Sequence, residues 1–259
     1  MMFKFSKYQG TGNDFIIIDN RKNSINLTTK QIAFMCDRRF GIGADGLMLL
    51  EKHTELDFKM RYFNSDGKEG TMCGNGGRCI TAFAKSLHLF NTKTTFQTID
   101  GIHQAIIKEN NTVALQMQDV NEIKETDGNY FVDTGSPHYV IFSKNIKDTD
   151  VYNEGKKIRE SRHFAPSGTN VNFVEIKEHE LFVRTYERGV ENETLSCGTG
   201  VTAAAICASL KLNTDKNSFD ISTRGGSLNV SFKKQSNNSF IDVWLTGPAT
   251  FVFSGNFQF

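Results

Sequence analysis

The chain has 259 residues, with 30 Lys+Arg against 29 Asp+Glu, 38% hydrophobic residues and three prolines. That is enough to bury a core without disulfide staples, and a net charge of +1 with no basic stripe excludes a disordered tail and a dedicated nucleic-acid binder. No apolar run approaches the ~20 residues of a membrane span, the first ten residues hold no signal-peptide core, and five cysteines without framework spacing predict a reducing, cytoplasmic setting.

Taken in order, Thr11-Gly12-Asn13 leads into a strand-like run at 15–18. A helical pattern covers 29–38, and Gly43-Ala44-Asp45 leads into a second apolar strand at 47–51. Phe58, Met60 and Tyr62 alternate with Lys59 and Arg61, the period of a half-buried strand. Met72-Cys73-Gly74-Asn75-Gly76-Gly77 then precedes a helix whose Ile80, Phe83, Ala84 and Leu87 share one face. Short strands follow at 94–99, 102–107 and 113–117.

After a boundary expected near residues 117–130, the series begins again. Thr134-Gly135-Ser136 leads into His138, Tyr139, Val140 and Ile141; Gly168-Thr169-Asn170 leads into a strand at 171–175; another strand covers 181–186. Ser196-Cys197-Gly198-Thr199-Gly200-Val201 precedes a helix with Val201, Ala204, Ala205 and Ala208 on one face. Three matched blocks recur at offsets of 123, 125 and 124 residues, which reads as an internal duplication. The expected fold is α/β (α+β), with pseudo-symmetric halves at 1–117 and 118–248. Each half is a curled, mostly antiparallel sheet around a central helix, and the active site lies in the cleft between them.

Each matched cysteine, Cys73 and Cys197, is expected in the first turn of its helix with glycines behind it. Helix N-termini carry unpaired N–H groups and favour an anion, by ~0.3–1 kcal/mol and up to ~2 when partly buried. That covers much of the ~1.4 kcal/mol needed to lower a thiol pKa by one unit. Two thiols related by duplication suit a reaction in which one takes a proton from a carbon and the other returns one to the opposite face. That reaction is racemisation or epimerisation, with helix dipoles stabilising the carbanion and no organic cofactor. A lone cysteine is more often a small core residue, and Cys36, Cys79 and Cys207 are read that way.

The blocks Gly10-Thr11-Gly12-Asn13-Asp14-Phe15, Phe63-Asn64-Ser65-Asp66-Gly67, Met72-Cys73-Gly74-Asn75-Gly76-Gly77-Arg78-Cys79, Tyr186-Glu187-Arg188-Gly189 and Cys197-Gly198-Thr199-Gly200 resemble the diaminopimelate epimerases over nearly the whole chain. The resemblance implies a cofactor-independent two-base epimerase that interconverts LL- and meso-diaminopimelate in lysine and cell-wall precursor biosynthesis. It implies a homodimer, and a last strand at 249–259 that returns to the first half. Cys73 and Cys197 would be the bases. The backbone at Gly74-Asn75 and Gly198-Thr199 would hold the carboxylate of the reacting centre, with Asn13 beside it. Asn64, Asn170 and Arg188 would hold the distant carboxylate, and Glu187 the distant ammonium. His138 and Glu187 would tune the cysteines.

Three features depart from the common family pattern: Gly46 in place of Gln, Ser136 in place of Asn, and a longer loop at 189–194. The run Gly41-Ile42-Gly43-Ala44-Asp45-Gly46 matches a nucleotide fingerprint, but a helical pattern precedes it and a strand follows, the reverse of what that fingerprint needs. Scattered histidines and the absence of C-x-x-C argue against a metal. Two alternatives stay open. A proline or hydroxyproline racemase would keep both cysteines, with His where Asn75 stands and no use for Glu187. A redox switch would pair Cys73 and Cys197 in a reversible disulfide.

Overall fold

The computed structural model describes residues 2–236 and 238–259; Met1 and Asn237, one in each expected half, lie outside the described residues. In chain order, the strands β1 (Met2–Gly10) and β2 (Asn13–Asp19) are followed by helix α1 (Thr29–Cys36) and strands β3 (Gly46–Glu51), β4 (Phe58–Asn64) and β5 (Glu69–Gly70). Helix α2 (Gly74–Ser86) leads to β6 (Lys93–Thr98), β7 (Gly101–Ile107) and β8 (Val113–Gln116). Then come β9 (Ile123–Thr126), β10 (Asn129–Asp133), β11 (Pro137–Phe142), a short 3-10 turn (Ile146–Asp148) and helix α3 (Val151–Arg159). Strands β12 (Asn170–Ile176), β13 (Glu180–Glu187) and β14 (Asn192–Thr194) lead to helix α4 (Gly198–Lys211). The chain ends with β15 (Ser218–Thr223), β16 (Gly226–Ser236), β17 (Ser239–Gly247) and β18 (Thr250–Gln258).

Two compact units result, Met1–Leu115 with Gly247–Phe259, and Gln116–Thr246. These divisions lie two residues before the 117/118 and 248/249 positions read from the sequence. In the first unit β18–β1 and β1–β2 are antiparallel, β2–β3 parallel, β3–β4 and β4–β5 antiparallel, β4–β6 parallel, and β6–β7 and β7–β8 antiparallel. In the second, β9–β10 and β10–β11 are antiparallel, β11–β12 parallel, β12–β13 and β13–β14 antiparallel, β13–β15 parallel, and β15–β16 and β16–β17 antiparallel. The polarities repeat in order, so the duplicated motifs sit on a duplicated topology.

The central strands of each unit bury both faces, which is why strands such as β2, β3 and β12 read as continuous apolar runs rather than alternating ones. In the first unit one face packs under α1, in a cluster that includes Phe5, Ile16, Ile18, Met35, Leu47, Leu49 and Phe63. Helix α2 touches β1, β2, β3, β7 and β18. In the second unit the face with Val171, Phe173 and Tyr186 packs with Val151 of α3, and α4 touches β10, β11, β12, β13, β15 and β16. Helix α4 tolerates this enclosure because its sides are small or apolar: Ala203, Ala204, Ala205, Cys207 and Ala208 are fully covered.

Local chemistry sets several boundaries. The β1–β2 hairpin turns on Thr11 (φ 49°) and Gly12 (φ 87°), the double positive φ of a twist-matched two-residue turn. A β-branched residue seldom accepts that conformation. Here the Thr11 hydroxyl donates to Asn75 Oδ1 and accepts from Arg78. Helix α1 opens with a capping box between Thr28 and Gln31. It stops at Cys36, short of the expected 38, because Asp37 turns to extended backbone and its carboxylate takes the N–H groups of Arg39 and Phe40. A helix precedes and a strand follows Gly41 to Gly46, as the rejection of a nucleotide fingerprint requires.

Candidate active site

Both matched cysteines are N-cap residues, one position before the first helical turn and not within it as the sequence suggested. The cap position has extended backbone beside the orphan N–H groups of the helix; Cys73 bonds one of them through its side chain, and Cys197 makes no such cap bond. Cys73 Sγ accepts from the Gly76 N–H at 3.2 Å. Cys197, 7% exposed, places its Sγ 3.5 Å from the Thr199 hydroxyl. The remaining thiols are core groups. Burial pushes Cys36 up to about 12 and raises Cys79 and Cys207 further, which leaves them neutral at physiological pH.

Around Cys73 the network is charged and amide-rich. Asn13, the first residue of β2, has its Oδ1 3.8 Å from Cys73 Sγ and 3.3 Å from Asn75 Nδ2. Its own Nδ2 donates to Asp45 at 2.7 Å, which fixes the amide orientation. Arg38 bridges Asp14 and Asp45, and Lys7 pairs with Asp14 while also donating to the Gly43 carbonyl. Burial would raise the Asp14 carboxyl, but Arg38 and Lys7 hold it well below the usual range. Arg78, in the second turn of α2, is fully buried. Its guanidinium donates to the carbonyls of Gly74 and Pro248, to Asn75 Oδ1 and to Thr11 Oγ1. Burial lowers its pKa, and a thiolate at Cys79 or Cys73 would raise it; Cys79 stays neutral, which leaves Cys73 as the thiol it can favour. The guanidinium is therefore a buried cation that feels Cys73.

Around Cys197 the hydrogen bonds run through neutral side chains. His138 is fully buried on β11. Its Nε2 lies 2.9 Å from Thr199 Oγ1, and its Nδ1 lies 3.0 Å from Asn172 Nδ2. Thr185 donates to Asn172 Oδ1 at 2.9 Å, and Thr134 donates to the Thr199 carbonyl at 2.9 Å. Burial first, then the charge of Arg188, pushes the imidazole down to about 3. His138 thus bonds to side chains and is not a residue that merely satisfies nearby backbone. Asn170 donates to Ser136 Oγ and the Pro137 carbonyl, each at 2.9 Å, and its Oδ1 accepts the Arg188 N–H. The Arg188 guanidinium reaches the Ser167 carbonyl at 3.2 Å. Ser136, standing where the common pattern has Asn, keeps a hydrogen-bonding role as acceptor.

Asn64 is exposed at the end of β4, and Glu187 is half-buried at the end of β13. Gly46 is a steric requirement: a Cβ there would lie 2.5 Å from the Tyr62 ring and 2.7 Å from the Phe63 carbonyl. Tyr62 fills the space that a glutamine would need. Asp45, Arg78, Asn172, Thr185 and Thr134 were not among the site residues expected from the sequence. A lone arginine on an apolar helix and an Asn inside an apolar strand were the available signals for Arg78 and Asn172. Among the described residues no cluster of three or more His, Cys, Asp or Glu is placed to hold a metal, and no helix is long and apolar enough to cross a membrane.

The sequence matches the diaminopimelate epimerase family profile over residues 5–123 and 130–252. The diaminopimelate epimerase of Flavobacterium psychrophilum is 54% identical, covering 96% of this chain and 98% of that protein. That of Chlorobaculum tepidum is 42% identical, covering 95% and 98%. Among solved structures, a Bacillus anthracis phenazine biosynthesis protein of the PhzF family superposes with a TM-score of 0.80 at 14% identity, covering 100% of each chain. A probable proline racemase from Agrobacterium radiobacter gives 0.70 at 14% identity, covering 99% and 93%. At such identities the likeness establishes the fold alone. The sequence matches go further: this chain belongs to the diaminopimelate epimerase family.

Proposed function

We propose that the protein is a cofactor-independent isomerase that epimerises LL-2,6-diaminopimelate to meso-diaminopimelate, with Cys73 and Cys197 as its two acid/base groups. The observation that carries the reading is the placement of each cysteine as the cap of a buried, glycine-started helix, once in each duplicated unit. A Cα–H is a very weak acid. Its removal needs a thiolate base, a fixed positive field at the carboxylate where charge develops, and a thiol to return a proton. The N–H groups at Gly74-Asn75 and Gly198-Thr199 supply such a field. Asn13, with its Nδ2 committed to Asp45, presents its carbonyl as an acceptor for the reacting ammonium.

At the distal end, Asn64 and Arg188 hold the second carboxylate and Glu187 takes the second ammonium, while Asn170, whose amide N–H groups are taken by Ser136 and Pro137, acts from behind them. Asn170 supports this by pinning the Arg188 backbone. An arginine grips a carboxylate through two parallel hydrogen bonds. We further propose a cytoplasmic enzyme that works as a homodimer. The exposed Phe251, Val252 and Phe253 of β18 are apolar surface suited to covering by a second copy.

The test is NMR of LL- and meso-diaminopimelate incubated with the protein in heavy water, without added pyridoxal phosphate or metal. Inversion with one deuterium at the inverted α-carbon is expected, and proline is expected to remain unchanged. Recovery of both isomers without deuterium would sink the reading. Light scattering is expected to give twice the 29.1 kDa chain mass.

A further inference from the structure

Each cysteine cap stands on three strand positions, and the registers identify them. In the first unit Phe15 of β2 pairs with Gly46, and Met48 of β3 pairs with Tyr62 of β4. In the second, His138 of β11 pairs with Asn170, and Asn172 of β12 pairs with Thr185 of β13. The third helical residue confirms the match. A Cβ on Gly76 would meet Cys73 Sγ, Met48 Sδ and Phe15 at 3.3–3.6 Å, and one on Gly200 would meet Asn172 Oδ1 at 2.4 Å and Thr185 Oγ1 at 3.3 Å. Phe15, Met48 and Tyr62 therefore correspond to His138, Asn172 and Thr185. The fold accepts a largely apolar trio here, and the second unit carries a polar one instead. Burying three polar side chains costs stability unless each is hydrogen-bonded, so the polar trio is not a requirement of packing.

The bonds fix a direction along the trio. Asn172 Nδ2 also lies 3.3 Å from the Tyr139 carbonyl, which only accepts, and Thr185 donates to Asn172 Oδ1. The Tyr139 carbonyl sets the amide orientation, and the Thr185 hydroxyl then donates to the oxygen that faces it. With Asn172 Nδ2 donating to it, His138 Nδ1 must accept, so the neutral ring carries its proton on Nε2. That N–H donates to Thr199 Oγ1, which leaves the threonine proton to point elsewhere, and Cys197 Sγ lies 3.5 Å away.

We propose that Thr185, Asn172 and His138 are positioning residues that act through Thr199, holding its hydroxyl as a hydrogen-bond donor to Cys197 and so stabilising that thiolate. His138 takes no proton in this arrangement; it stays a neutral donor throughout. The proposal rests on the two-thiol reading of the site, but its test needs no turnover, so failure of one is distinguishable from failure of the other.

The reduced full-length protein is treated with iodoacetamide at fixed pH 7, and alkylation of Cys197 and Cys73 is followed separately by mass spectrometry. Cys73 takes its hydrogen bond from Gly76 and serves as the internal control. Thr199→Val and Asn172→Leu are each expected to slow Cys197 relative to Cys73 by roughly three- to ten-fold, the effect of one lost donor on thiolate fraction. Thr199→Ser is expected to restore the ratio. Nitrogen NMR of the imidazole is expected to show the His138 proton on Nε2 in the parent and an unlocked ring in Asn172→Leu. Should that variant not fold, Thr185→Val removes only a hydroxyl and is expected to shift the ratio in the same direction. An unchanged ratio in the folded Asn172 or Thr185 variant, equal slowing of both thiols, or a His138 proton on Nδ1 overturns the proposal.

Discussion

The two units place a cysteine at the same point of the same topology and surround it differently. Cys73 has a fully buried arginine in the turn behind it and phenylalanine, methionine and tyrosine beneath it. The position that matches Arg78 on α4 is Thr202. Its hydroxyl donates to the Gly198 carbonyl as Arg78 donates to that of Gly74, but it brings no charge. Cys197 has a neutral histidine, an amide and two threonines in the places of the apolar trio and its neighbours. A buried cation lowers the energy of a nearby anion at long range, whereas a neutral donor does so only on contact. One duplicated scaffold therefore supports two ways of favouring a thiolate.

The largest expected effect removes the members of the pair themselves. Cys73→Ala and Cys197→Ala should each abolish inversion in both directions, and Cys→Ser at either position is expected to leave at most one-sided exchange of the α-hydrogen with heavy water. Two-way turnover in an alanine variant would mean that one unit suffices. Next comes Arg78→Met, which removes the buried cation and four donated hydrogen bonds. We expect a loss of about 3 kcal/mol in denaturant unfolding and slower alkylation of Cys73, with Cys197 unaffected. A shift at Cys197 instead would show that the charge is not specific to its own unit.

A paired substitution compares the platforms directly. Gly200→Ala would drive a methyl into the Asn172 carbonyl and is expected to cost about 1–3 kcal/mol, along with the reactivity of Cys197. Gly76→Ala meets only a sulfur, a thioether and a ring edge at 3.3 Å or more, so its cost should stay under about 1 kcal/mol. Equal costs would remove the distinction.

A pH dependence near neutrality is the mildest sign of the difference. Because the folded His138 pKa lies near 3, below the ~6.5 of the unfolded chain, the unfolded state binds more protons between those values. Stability from this group is full above pH 6.5 and is lost as pH falls towards 3. At pH 5 the loss is about 2 kcal/mol. His138→Asn is expected to flatten the urea-unfolding profile between pH 7 and 5 by that amount.

Much of this arrangement was legible in the sequence because duplication prints each motif twice. The C-G-x-G blocks, the strand periods and the order of elements all came from residues close together in the chain. The bonds that distinguish the two units did not. Asn13 meets Asp45 across a parallel pair of strands, and His138 meets Asn172 and Thr199 from three separate elements. Asn172 stands out as a polar residue in the apolar β12, but nothing local to it names the partners it meets. The same applies to Gly46, whose lack of a side chain is explained by the Tyr62 ring and the Phe63 carbonyl that the adjacent strand β4 brings against it.

The pairing of β1 with β18 has a consequence for how the protein is made. The strand that completes the first unit follows the entire second unit in the chain. As the polypeptide leaves the ribosome, the N-terminal segment must wait with one side of β1 uncovered while a later stretch, contiguous from 116 to 246, is free to close on itself. The unit translated first is the one finished last.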